Sequence, residues 1–183
     1  MRWSRLFADL ESQLDALVSA EMDGEVAERT RIELSGVRLV DRLRAVEDHP
    51  IEVHCGAAGS FRGRVRGAGA DWLLVVEPSA AEALVPIRAM TGIVGLGRAV
   101  APQEQTVTAW HLGLRAALRG IARDRAPVRL SLVDGRTRTG TIDRVGADFL
   151  DLAEHSAGEP RRAAAVSAEI AVPLEAVAVV RRW

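Results

Sequence analysis

"GRVRGAGADWLLV" occupies residues 63–75, and "GTIDRVGADFLDL" occupies residues 140–152. Gly63 matches Gly140, Gly-Ala-Asp at 69–71 matches Gly-Ala-Asp at 146–148, and Trp72 matches Phe149, all at a spacing of 77 residues. Each phrase reads as strand, turn, strand. Alternating side chains lead into a Gly and Asp turn, whose residues suit positive φ and side-chain-to-backbone bonding, and an aliphatic run follows. A phrase written twice at one spacing is the signature of a repeated fold unit.

The repeat extends on both sides. Upstream, "IEVHC" (51–55) aligns with "VRLSL" (128–132), and Ile51, Val53 and Cys55 alternate with Glu52 and His54. "SFRGRVRG" (60–67) alternates too, with Phe61, Gly63 and Val65 against Arg62, Arg64 and Arg66. Downstream, "WLLVVE" (72–77) aligns with "FLDLAE" (149–154), and "VPIRAMTGI" (85–93) with "VPLEAVAVV" (172–180). The spacing there is 87, so the second copy carries a ten-residue insertion within "HSAGEPRRAAAVSAEIA" (155–171). A length change confined to one segment, with strands kept on both sides, marks an exposed loop. Each copy thus predicts five short strands: "IEVHC", "SFRGRVRG", "WLLVVE", "EALVP" and, after a turn at "IRA", "MTGIVGL" in the first.

Helical segments precede the copies. Trp3, Phe7, Leu10, Leu14 and Leu17 recur every three or four residues, a narrow apolar seam on an otherwise acidic helix. This seam packs on its own domain or pairs with another subunit. "VRLVDRLRAVEDH" (37–49) predicts a helix ending before Pro50, and "TAWHLGLRAALRGIARDRA" (108–126) one ending before Pro127. "GLGRAV" (95–100) reads as a linker. The domain division is therefore 1–36 for an N-terminal amphipathic helix, 37–99 for a helix and the first strand unit, and 100–183 for a helix and the second.

Composition narrows the classes. Of 183 residues 48% are hydrophobic and 27% charged, which fits a globular chain. The net charge of −1 argues against a globally basic nucleic-acid binder while leaving a local patch open. All 24 cationic side chains are arginine, and lysine, asparagine and tyrosine are absent. Those three residues use A/T-rich codons, so a GC-rich bacterial genome accounts for the bias. Cys55 is the only cysteine, which rules out an intramolecular disulfide and suits a reducing compartment. With no apolar leader at the N-terminus and no run of 18 apolar residues, the expected location is cytoplasmic, with no membrane partner.

The strand pattern, "VRLSLVDGRTRTGTIDRVGADFLDL", the variable loop and the closing "VPLEAVAVV" resemble the Sm-like small β-barrel superfamily, SH3-like in build, in two tandem copies. The resemblance covers about two thirds of the chain. It implies a mainly β fold with flanking helices: two tandem five-stranded barrels after an N-terminal helix. It also implies edge-to-edge association, in which three chains would close a six-barrel ring, and RNA as a possible ligand. The family's nucleobase-binding Asp and Asn pair is incomplete here because the chain has no asparagine, and "VPIRAM" and "VPLEAV" replace its Arg-Gly turn.

Candidate nucleic-acid contacts are Arg62, Arg64 and Arg66 on one strand face, Arg136 and Arg138 beside the matching strand, and Arg161 and Arg162 in the long loop. Arginines on a strand suit phosphates. They equally suit a solvated face that discourages edge pairing. Candidate interface residues are Trp3, Phe7, Leu10 and Leu14 on the first helix, and Trp72, Leu74 and Val76. In "WLLVV" both strand faces are apolar, so its outer face should be covered by a helix, the second unit or another subunit.

No catalytic set emerges. Cys55 and His54 are strand neighbours and point to opposite faces. His49, His54, His111 and His155 lack metal-ligand spacing and are expected at the surface. Asp71 and Asp148 read as turn residues. The expectation is a non-enzymatic binding or assembly module without cofactor, with RNA as its candidate ligand through the exposed arginines. The alternative is a protein-interaction scaffold. A DNA-binding regulator, from the distant likeness of "LRAALRGIARDRAPVRL" to a Fis-type helix-turn-helix, is a third, but Pro127 and the strand after it interrupt the recognition helix.

Overall fold

The computed structural model describes residues 34–101, 112–157 and 162–182. Leu39–Trp183 form one compact unit, and residues 34–38 belong to a separate N-terminal unit, where the Val37 N–H closes a turn onto the Leu34 carbonyl. The fold is mainly β with flanking helices. Its elements are α1 (Leu39–Arg44), β1 (Pro50–His54), β2 (Ser60–Ala68), β3 (Trp72–Val76), β4 (Glu82–Pro86), β5 (Gly92–Val94), α2 (Leu114–Asp124), β6 (Pro127–Leu132), β7 (Thr137–Val145), β8 (Phe149–Glu154), β9 (Ala168–Pro173) and β10 (Val177–Arg182).

The ten strands of the described residues lie in one antiparallel sheet of order β5-β1-β2-β3-β4-β10-β6-β7-β8-β9. The order shows the repeat directly: β5-β1-β2-β3-β4 and β10-β6-β7-β8-β9 are the same arrangement. Both second strands carry a register shift at matching places, Val65/Gly67 in β2 and Ile142/Arg144 in β7. Such bulges bend and twist a long strand. In each copy the turn aspartate's carbonyl also holds the short 3₁₀ turn after the fourth strand. Ile87 N–H donates to Asp71 at 2.9 Å, and Leu174 N–H donates to Asp148 at 2.7 Å.

The doubled phrase is explained by close approach. A Cβ on Gly63 would run into Val75 and the Val76 carbonyl, and one on Gly140 into the Ala153 carbonyl. The glycine of each Gly-Ala-Asp lies beneath the following aromatic, Gly69 under Trp72 and Gly146 under Phe149. No side chain fits between these surfaces, so the glycines are demanded by packing.

Two cores form, and they exchange residues. The first gathers Val53, Val65, Leu73 and Val85 with Ala178 and Val179 of β10. The second gathers Leu118, Leu130, Ile142 and Leu152 with Trp72 and Leu84 of the first copy. Val177, Ala178, Val179 and Val180 are all buried, because β10 sits between the copies and serves both cores.

Several elements differ from their sequence patterns. α1 spans six residues and gives way to a turn before Pro50. β5 has only three residues, because Gly95 follows at φ 90°, outside the strand region. Residues 95–100 are tied to the first core, since Leu96 is buried there and Arg42 donates to the Gly97 carbonyl. His155 is buried rather than exposed, hydrogen-bonded to the Thr141 hydroxyl at 2.9 Å and the Ser156 carbonyl at 3.0 Å.

Gly140→Ala is expected to cost about 2–3 kcal/mol through backbone overpacking. Gly120→Ala, in α2 with open space around it, should gain roughly 0.5–1 kcal/mol. Urea denaturation of both variants measures the two effects, and equal stabilities would refute the packing account.

Candidate binding surfaces

β2 presents Arg62, Arg64 and Arg66 on one exposed face, as its alternation requires. They border an open groove of about 780 Å³ whose apolar lining includes Pro50, Val76, Pro78 and Val94. The ridge is not bare charge. Arg62 Nε donates to Glu52 at 2.8 Å, and Arg64 donates to the Asp48 carbonyl at 2.6 Å with its carboxylate 3.9 Å away. Exposed pairs of this kind are weak, so a phosphate could displace them. The hydrogen bond from Arg62 holds the Glu52 carboxyl below its ordinary range, outweighing the desolvation that opposes it, and the charges of Arg62 and His54 add smaller lowering effects.

In the second copy, Arg138 on β7 donates to Glu154 at 3.2 Å, and Arg136 lies 3.6 Å from Asp134. Arg162 is exposed in the long loop. Arg161, Trp3, Phe7, Leu10, Leu14 and His111 lie outside the described residues. Among the described residues these arginines do not converge on one place: three line the β2 groove, and Arg136 and Arg138 belong to the other half of the sheet. Asp143 occupies the position in β7 that Arg66 holds in β2, so the ridge is not repeated.

Trp72, Leu74 and Val76 stand on the outer face of β3. Trp72 packs into the second core and Leu74 packs against it, so the second copy covers them. Val76 lines the groove. Sequence reasoning missed the other half of this junction, β10. Its signal was present in the run "AVAVV" (176–180), apolar on both strand faces like "WLLVV".

The junction is a strand pair. β10 runs antiparallel to β4 with Val180 opposite Leu84, Arg181 opposite Ala83 and Arg182 opposite Glu82. Arg181 of the second copy donates to Glu77 at 2.7 Å, reaches Ser131 at 3.3 Å, and lies 4.7 Å over the Phe61 ring of the first. Such a charge-assisted, aromatic-stacked arginine suits a half-buried seam. α2 docks at the same seam. Asp71 accepts the Leu114 N–H at 2.6 Å, and the Trp72 indole donates to the Leu112 carbonyl at 2.9 Å. Asp71 is therefore a helix cap supplied from the other copy, in place of Gly113, which has no side chain to cap with.

Cys55 is buried, and desolvation pushes its thiol pKa up, away from nucleophilic use. Among the described residues, no group of three or more His, Cys, Asp or Glu is placed to hold a metal ion. No helix there is long and apolar enough to cross a membrane.

Comparisons with protein-family models, curated proteins and solved structures each return no match.

Because the Glu52 pKa is lowered, the pair's stabilisation is present above the unfolded carboxylate range and is lost as pH falls through the folded pKa. NMR titration should place Glu52 below ordinary glutamates, and Arg62→Ala should return it to their range. An unchanged midpoint in that variant would refute the pairing.

Proposed function

We propose that this chain is a non-enzymatic binding and assembly module, built as two tandem Sm-like barrels that join further copies of the chain edge to edge. The observation that carries the reading is the β4–β10 pair, in which one half of the sheet receives the other through its strand edges. The repeat leaves the equivalent edges, β5 and β9, at the two ends of the sheet. Transferring the junction by its spacing of 87 places Ile93 opposite Ala171 and Val94 opposite Ile170 of a second chain. Val94 is 58% exposed, an aliphatic side chain on an open edge, which a partner strand would cover. Unlike edges make a heterologous contact, which either closes into a ring or continues as a filament. A ring of three chains, six barrels in all, is the closed form we favour, in a cytoplasmic setting.

RNA is the ligand proposed for the groove beside Arg62, Arg64 and Arg66, where phosphate contacts would replace the Glu52 and Asp48 pairs. Those carboxylates also favour a second reading, a protein-interaction scaffold that binds no nucleic acid. No cofactor enters either reading.

Light scattering on a size-exclusion column should give three times the chain mass, and a monomer at all concentrations would overturn the assembly reading. Fluorescence anisotropy with labelled single-stranded RNA should show binding that weakens with salt. Changing Arg62, Arg64 and Arg66 to alanine should reduce the slope of log affinity against log salt by roughly 2. Absence of binding at low salt would leave the scaffold.

A further inference from the structure

The seam inside the chain contains more than paired strands. In the first copy, the turn Ala70-Asp71-Trp72 holds the start of α2: Ala70 N–H and the Trp72 indole both donate to the Leu112 carbonyl, and Asp71 accepts the Leu114 N–H. Trp72 is 7% exposed and Leu114 2%. The same turn stands in the second copy as Ala147-Asp148-Phe149 and is built in the same way. Gly146 N–H donates to Phe149 O at 2.8 Å, as Gly69 N–H does to Trp72 O at 2.9 Å. Yet Phe149 is 39% exposed. The clamp is preformed, and among the described residues no helix start is bonded to it as α2 is to the first copy; Arg115 only reaches the Ala147 carbonyl, at 3.5 Å.

That counterpart exists at the other end. α2 packs on its own copy through Leu118, and Leu114 lies one turn earlier at the seam. α1 packs on its own copy through Leu43, and Leu39 lies one turn earlier, 38% exposed. Inside the chain, β10 and α2 arrive at the first copy together. A β5 edge arriving at β9 brings α1 in the same way.

We propose that the turn Ala147-Asp148-Phe149 is a docking surface for α1 of a second copy of this chain, with Leu39 seated against Phe149. This inference rests on the edge-to-edge reading above and adds the side-chain contact that orients it. Because head and tail surfaces differ, assembly is directional. Phe149 lacks the indole N–H with which Trp72 reaches a backbone carbonyl, so the contact between chains is weaker than the seam within one.

The test uses Leu39→Glu and Phe149→Glu, both at exposed positions, with thermal melts to establish that each variant folds. Each alone should lose assembly by on the order of tenfold or more in affinity. Mixed in equal amounts they should form a one-to-one dimer, since one intact tail meets one intact head. Phe149→Trp should tighten assembly about fivefold by supplying one more hydrogen bond. Variants that assemble like the wild type, or a mixture that stays monomeric, would overturn the docking contact while the edge pairing stands. A Phe149→Trp chain that assembles no more tightly would likewise count against it. A monomeric wild type would overturn both.

Discussion

The antiparallel pairing of β4 with β10 holds the two halves of this protein together. It joins two five-strand halves into one sheet, and it does so along a seam where neither half has a finished core of its own. Ala178 and Val179 cross into the first core, and Trp72 and Leu84 cross into the second. Small strand units near 50 residues bury too little surface to be robustly stable alone, so sharing residues across a seam is an effective remedy. The polar atoms at the seam follow the same logic. Arg181 satisfies Glu77 and covers Phe61, and Asp71 caps α2, so the junction buries apolar area without stranding a charge.

The seam joins unlike surfaces: the fourth-strand edge of one copy meets the fifth-strand edge of the other. A contact of this kind within a chain leaves one of each surface at the ends. The two ends are unequal in detail. β9 offers six residues, while β5 offers three before Gly95 turns the chain away. A short edge strand limits indiscriminate pairing, and the side chains around it, Val94 and Leu39, become correspondingly important for any specific contact.

Much of this was legible in the sequence because its causes are local. A period of two marks the strands, and the glycines at 63, 69, 140 and 146 stand where a neighbouring strand or ring leaves no room for Cβ. Arg62, Arg64 and Arg66 share a face for the same period-two reason. What was not legible depends on distant neighbours. His155 opens the insertion and reads as a surface residue, but Thr141, 14 residues earlier, turns it inward through a hydrogen bond. Asp71 reads as a turn residue and is one, yet its carboxylate serves a helix 43 residues away.

Two copies of one strand unit, the places of their turns, and the covering of "WLLVV" on both faces were all readable in the sequence; "AVAVV" carries the same two-faced apolar signal, which sequence reasoning passed over. An apolar outer face states that something covers it and nothing about what does. That these two strands lie in one seam, with Leu84 facing Val180, emerges from the assembled fold. The physical reason is that backbone edges carry no sequence of their own. Any exposed strand can offer its N–H and C=O groups to any other, so the choice of partner rests on the fit of whole cores assembled around it.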